Sequence, residues 1–109
     1  MSVSISVQQE DFDPGHEIAA LTVDRGLAGA VASFVGLVRD EGKSLAAMTL
    51  EHYSGMTEKA IAEIVDTATR RWSLLGVRVI HRIGRLLPGD RIVLVVVSSK
   101  HRGDAFAAC

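Results

Sequence analysis

Apolar residues follow strand-like patterns in the first half of the chain. Within residues 2–7, every second residue is Val or Ile and alternates with serine, which predicts a half-buried strand. Residues 29–38 are apolar almost throughout and hold Phe34 between small side chains, which predicts a strand buried on both faces. After a polar loop at residues 39–43, a further strand is expected over residues 45–52.

Two helices are predicted from capping residues and hydrophobic spacing. Asp13 and Pro14 supply an N-cap and a first-turn proline for a short helix. Residues 57–72 carry apolar side chains at helical spacing, with charged side chains on the opposite face. They are expected to form the main amphipathic helix, which ends at Gly76.

The last third of the chain predicts two strands and a final helix. Residues 77–83 alternate in polarity, and residues 91–97 form a β-branched run that follows the turn Pro88-Gly89-Asp90. Strands joined by so short a turn are expected to pair antiparallel. With the helices, including one from Arg102 onwards, they predict an α+β domain with antiparallel strands and packed helices.

Composition narrows the class of protein. The 109 residues fit one domain, and 48% apolar with 23% charged residues is ordinary for a soluble protein. A net charge of −1 disfavours general nucleic-acid binding, although it leaves room for a local basic pocket. The single Cys109 has no partner for an internal disulfide and is interpreted as a packing residue, which favours a cytoplasmic location.

The junction between the last strand and the last helix holds the strongest candidate chemistry. Ser98 or Ser99 is expected to cap the helix, whose first turn then carries Lys100, His101 and Arg102. Three basic side chains add positive charge to a helix N-terminus, which is already positive. A bound phosphate or carboxylate would compensate this charge. The alternative is that the three side chains simply point into solvent.

Arg39 is a second candidate, because it directly follows the apolar strand that ends at Val38. If the two buried strands are neighbours in the sheet, Arg39, His101 and Arg102 are expected to converge at one edge. Two guanidinium groups and an imidazole would then surround an anion. His101 could also transfer a proton near neutral pH.

Other chemistries lack support in the sequence. The glycines are dispersed and no Gly-Lys-Ser/Thr follows them, so a phosphate-binding loop is not indicated. The histidines have no paired spacing for zinc, and His52 and His81 are interpreted as strand residues with satisfied hydrogen bonds. No Gly-x-Ser-x-Gly motif supports a serine nucleophile.

Several strings, spread in order over nearly the whole chain, resemble one family. They are Gly29-Ala30-Val31, Phe34, Gly36 and Val38-Arg39; Leu50-Glu51-His52-Tyr53 with Gly55-Met56-Thr57-Glu58-Lys59-Ala60; Val79-Ile80-His81-Arg82-Ile83-Gly84 with Pro88-Gly89-Asp90; and Ser99, His101-Arg102 and Ala105-Phe106. Together they resemble the large, catalytic subunit of molybdopterin synthase.

The resemblance implies an α/β-hammerhead fold and a homodimer, within a heterotetramer. It implies a small ubiquitin-like sulfur-carrier partner, whose C-terminal Gly-Gly thiocarboxylate enters a pocket of this subunit. Two sulfur atoms then pass to cyclic pyranopterin monophosphate to form the dithiolene of molybdopterin, as a step of molybdenum cofactor biosynthesis. No metal or redox cofactor takes part in this transfer. Two alternatives stay open: a non-catalytic scaffold that binds an acidic Gly-Gly tail, and a small phosphate-binding regulatory domain.

The resemblance also assigns residues. It implies that Arg39, His101 and Arg102 line the anion pocket, with His101 and Arg39 as the catalytic candidates. Leu37 and Val38 would contribute backbone to substrate binding, and Phe34 would contact the partner's tail.

One segment of the family pattern, with two lysines and a Pro-x-Trp-Lys stretch, would follow Cys109. It is not among the 109 residues, in which the last helix is interrupted at Cys109. The expectation is therefore a truncated or partly recorded form with little or no synthase activity by itself.

Overall fold

A computed structural model describes residues 1–23, 26–40, 48–50 and 55–109 of the chain. The predicted loop at residues 39–43 and strand at residues 45–52 therefore lie partly outside the described residues. The elements in the described ranges are β1 (Ser2–Gln8), α1 (Pro14–Leu21), β2 (Ala30–Leu37), β3 (Met48–Leu50), α2 (Met56–Arg71), β4 (Gly76–Arg82), β5 (Gly84–Leu86), β6 (Arg91–Ser99) and α3 (Arg102–Ala108).

The main sheet has the strand order β1-β4-β6-β2. β6 pairs antiparallel with both β4 and β2, which confirms the pairing predicted across the Pro88-Gly89-Asp90 turn. β1 instead pairs parallel with β4, so the sheet is mixed. A short antiparallel ladder joins β3 to β5. The predicted α+β class is confirmed.

The helices lie on opposite faces of this sheet. On one face, Val65 of α2 packs with Val79 of β4 and Val97 of β6, and Ala108 of α3 packs against the same cluster. On the other face, α1 packs against a second cluster that contains Ile80 and Leu94. Because side chains alternate along a strand, β4 and β6 supply both hydrophobic cores.

Helix α1 begins as the sequence predicts. The Asp13 carboxylate accepts hydrogen bonds from the N–H groups of Gly15 and His16, and Pro14 is the first helical residue. The helix is further fixed to the sheet by Arg78 of β4, whose guanidinium bonds both carboxylate oxygens of Glu17 at 3.3–3.4 Å.

Two predictions about the elements need correction, and one element was not predicted. β2 is expected to be buried on both faces, but it is one of the two edge strands of the described sheet and its Phe34 side chain is 54% exposed. Gly76 does not end the main helix, which stops at Arg71, but begins β4. The short strand β5 was not predicted, since three residues are too few to show a period.

Candidate functional site

The strand-to-helix junction is held by a buried serine. The Ser99 hydroxyl donates to the carbonyl of Ser73 at 2.7 Å, and it accepts a long, 3.4 Å hydrogen bond from the His101 N–H. Neither Ser98 nor Ser99 is the N-cap, which corrects the sequence prediction. Both still belong to β6 and are 1% exposed. The N-cap is His101, with extended backbone and no side-chain capping bond.

Gly29 brings the start of β2 against this junction. Its N–H donates to the Ser99 carbonyl at 2.9 Å, and a Cβ built on it would lie 2.1 Å from the Lys100 carbonyl oxygen. No side chain fits there. The exposed residues Lys100, His101 and Arg102 line a shallow depression with Gly29. The junction therefore presents three basic side chains from a tightly fixed backbone.

Arg39 follows a segment that is fixed in a different way. The pairing of β2 with β6 shifts register between Gly36 and Leu37, so that Leu37 lies opposite Arg91. The next residue, Val38, is 4% exposed and makes two backbone hydrogen bonds with the turn before β6. Its N–H donates to the Asp90 carbonyl at 2.9 Å, and its carbonyl accepts from the Gly89 N–H at 2.8 Å. Arg39 directly follows this hydrogen-bonded residue and is exposed.

The register places Arg39 and the basic junction at opposite ends of β2. The two strands are neighbours, as the prediction of convergence required, but they run antiparallel: Ala30 lies opposite Ser99 and Leu37 opposite Arg91. The seven steps from Ala30 to Leu37, at about 3.4 Å each, separate the ends by roughly 24 Å. The expectation that Arg39 converges with His101 and Arg102 at one edge is therefore wrong within a single chain.

Phe34 lies between these ends, near the middle of β2. It is opposite Val95, and its ring lies 3.5 Å from the position that a Cβ of Gly36 would take. An aromatic ring that is 54% exposed on an outer strand offers an apolar contact between the two basic ends.

A charged cluster that the sequence did not reveal lies at the Arg39 end of the sheet. Asp11 accepts a hydrogen bond from the Arg91 guanidinium at 2.9 Å and lies 3.8 Å from that of Arg82. The hydrogen bond from the Phe12 N–H, and to a smaller extent the contact with Arg91, lowers the pKa of the Asp11 carboxyl. These partners are about 70 to 80 residues apart, so no local spacing could have signalled them.

The remaining candidates have mixed outcomes. His52 lies outside the described residues. His81 is a strand residue, but its Nδ1 is buried without a hydrogen-bond partner among the described residues, which corrects the expectation of satisfied bonds. Cys109 lies at the edge of the apolar space between α2 and the sheet, where burial raises the pKa of its thiol. In the described parts of the chain, no group of three metal-binding side chains occurs.

Comparison with known proteins decides the family. A family model described as "MoaE protein" matches residues 7–109. The chain belongs to the MoaE family. A relative in Ralstonia nicotianae, named molybdopterin synthase catalytic subunit, is 60% identical over 108 residues, which cover 97% of this chain and 61% of that protein. A relative in Vibrio cholerae with the same name is 56% identical, over 100% of this chain and 73% of that protein.

A solved structure supports the same family at the level of the fold. The MoaE protein of molybdopterin biosynthesis from Burkholderia ambifaria matches with a TM-score of 0.89 and 51% identity, over 100% of this chain and 71% of that one. The chain thus spans roughly two thirds of the length of its MoaE relatives. In the described residues, no helix combines the length and the apolarity needed to cross a membrane.

Proposed function

We propose that this chain acts as the catalytic subunit of a molybdopterin synthase, a sulfurtransferase of molybdenum cofactor biosynthesis. Its substrate would be cyclic pyranopterin monophosphate, and the sulfur would come from the C-terminal Gly-Gly thiocarboxylate of a small ubiquitin-like carrier. The observation that carries the proposal is the family match over residues 7–109, together with the name shared by relatives up to 60% identical.

The basic side chains have the chemistry that this reaction needs. The planar guanidinium groups of Arg39 and Arg102 suit two-point contacts with a phosphate or a carboxylate. The backbone of Leu37 and Val38 would border the substrate beside Arg39. His101 would exchange a proton with a reacting group, and Phe34 would pack against the carrier's tail. No metal or redox cofactor is part of the proposal.

We further propose that the site forms between two copies of the chain. Within one chain, Arg39 and the His101-Arg102 pair lie at opposite ends of β2. Among the described residues, β2 pairs with β6 alone, so its outer edge can accept a second strand. Antiparallel contact with β2 of a second copy would place Arg39 of one copy beside His101 and Arg102 of the other. A homodimer would contain two such sites, and one carrier bound at each site would give a heterotetramer.

Binding measurements test the function. Titration calorimetry would measure how tightly two ligands, the pterin monophosphate and a Gly-Gly-ended ubiquitin-like protein, bind to wild type, Arg39→Ala and Arg102→Ala. Loss of both ligands in both variants is expected for one pocket. Retained pterin binding with loss of the carrier alone would favour separate sites for the two ligands. If neither ligand binds wild type, the proposed function fails.

A mixing experiment tests the shared site. Arg39→Ala and Arg102→Ala are each expected to bind no pterin monophosphate when alone. After the two are unfolded and refolded together, half of the dimers are mixed, and each mixed dimer has one intact site. Binding should therefore return to about a quarter of the wild-type sites. If mixing restores no binding, Arg39 and Arg102 do not act in one shared site.

The cytoplasm is also part of the proposal, because a single cysteine fits a reducing compartment.

A further inference from the structure

We infer that Asp90 is a positioning residue, whose carboxylate sets the place from which Arg39 reaches the anion. The inference rests on the proposed function, because it assigns Arg39 to substrate binding. It concerns a residue that has no role of its own in the proposed chemistry. Asp90 is half-buried in the turn between β5 and β6.

The first step is how Asp90 holds its own turn. One carboxylate oxygen accepts a hydrogen bond from the Leu87 N–H at 2.8 Å, and the Asp90 N–H donates to the Leu87 carbonyl at 2.9 Å. Between them, Gly89 has φ +89°, a conformation that favours glycine. Leu86, fully buried just before the turn, anchors it in the protein. The carboxylate thus closes a four-residue turn from Leu87 to Asp90.

The second step is what this turn holds. Both backbone hydrogen bonds of Val38 described above are made with turn residues, Asp90 at its N–H and Gly89 at its carbonyl. Arg39 is the next residue in the chain. A change in the turn therefore shifts the backbone from which the Arg39 side chain extends.

The third step is chemical. A guanidinium group that binds a phosphate through two parallel hydrogen bonds depends on direction as well as on charge. Where reacting groups must be aligned, a displacement of about 1 Å can lower the reaction rate up to about a hundredfold. Asn at position 90 keeps an oxygen that accepts from the Leu87 N–H, whereas Ala keeps none.

The experiment measures binding of the pterin monophosphate to Asp90→Ala, Asp90→Asn and Arg39→Ala. Asp90→Ala is expected to weaken binding about tenfold, and Asp90→Asn by less than about threefold.

Asp13→Ala is the matched control. It also removes a carboxylate that bonds backbone N–H groups, those of Gly15 and His16, but at the start of α1. It should lower the melting temperature and leave binding unchanged. Hydrogen exchange of the Val38 and Gly89 amides adds a readout without ligand, and it should accelerate in Asp90→Ala but not in Asp90→Asn.

The outcomes separate the two proposals. If wild type binds and Arg39→Ala does not, yet Asp90→Ala binds as well as wild type, the positioning role is wrong while the function stands. An equal loss in Asp90→Ala and Asp90→Asn would also overturn it, because Asn keeps the oxygen that accepts from the Leu87 N–H. If wild type itself does not bind, the proposed function fails. Unchanged amide exchange in Asp90→Ala would separately show that the Asp90 carboxylate does not hold the hydrogen bonds between Val38 and the turn.

Discussion

The two ends of β2 carry basic side chains on differently built supports. At the junction end, the basic residues follow β6 directly, and the backbone is fixed by the buried Ser99 hydroxyl and by the close approach of Gly29 to Lys100. At the other end, Arg39 comes shortly after a shift in the pairing of β2 with β6. Its backbone is fixed by the hydrogen bonds between Val38 and the turn before β6. One support depends on tight packing, and the other on a hydrogen-bonded turn.

This difference predicts how each end responds to change. A packed backbone has no room to adjust, so a small added group at the junction should affect the whole domain. A turn at the edge of the sheet can move without unfolding the core, so a change there should affect the direction of Arg39 more than the stability. Substitutions at equivalent positions of the two ends measure the contrast directly.

The largest effect is expected from Gly29→Ala. The added Cβ would lie 2.1 Å from a backbone oxygen of Lys100, which cannot rotate away. In Gly36→Ala, near the Arg39 end, the Cβ would meet a methyl group of Val93 at 2.7 Å, and a side chain can shift. We expect losses of about 3 kcal/mol and about 1 kcal/mol in the free energy of unfolding, measured by denaturant titration.

Gly103→Ala is the control for this pair, since nothing lies within 4 Å of its Cβ position. As a residue of α3, it should gain up to about 1 kcal/mol from the higher helix propensity of alanine. If Gly29→Ala and Gly36→Ala cost the same, the two ends are equally adaptable and the contrast between them is lost.

An intermediate effect is expected at the buried serines. Ser99→Ala removes the bond to Ser73 and leaves that carbonyl without its partner, which should cost about 1–2 kcal/mol of unfolding free energy. Ser98→Ala is the matched neighbour. Its hydroxyl is equally buried but has no hydrogen-bond partner among the described residues, so its removal should be neutral or slightly stabilising. Equal costs in thermal melts would show that burial, and not the hydrogen bond, fixes the junction.

Local patterns predicted the elements but not their arrangement. Asp13 and Pro14 mark the start of α1 correctly, and the apolar spacing finds α2 to within one residue at each end. The predicted convergence of Arg39 with His101 is wrong within a single chain, because the relative direction of β2 and β6 depends on pairing between residues far apart in the sequence. The serine cap failed for a related reason: pairing with β2 keeps Ser98 and Ser99 in the strand, overriding their capping preference.

The sequence revealed candidate side chains better than it revealed their supports. Pro88-Gly89-Asp90 was recognisable as a turn that bounds a strand, yet its bonds to Val38 depend on the fold. Turn chemistry does give one signal, since an Asp in a tight turn often bonds a nearby backbone N–H.

The smallest effect is expected from pH, at the Arg39 end. Asp11 bonds the Phe12 N–H at 2.8 Å and the guanidinium of Arg91, the residue opposite Leu37. This backbone hydrogen bond is the main reason why the pKa of the Asp11 carboxyl lies below its usual value. A lowered pKa in the folded state stabilises the protein above the pKa of the unfolded state, and this stabilisation is lost as pH falls through the folded value.

Melting temperatures measured from about pH 6 down to about pH 2 should therefore fall less steeply in Asp11→Asn than in wild type. The difference should be small, because the Asp11 side chain is 54% exposed and water screens its charge. Arg91→Ala keeps the hydrogen bond from the Phe12 N–H to Asp11. Its melting temperature should therefore fall more steeply with pH than that of Asp11→Asn, and less steeply than that of wild type. Identical profiles for wild type and Asp11→Asn would show that the Asp11–Arg91 contact does not help to hold the start of β6. The support of Arg39 would then reduce to the turn at Asp90.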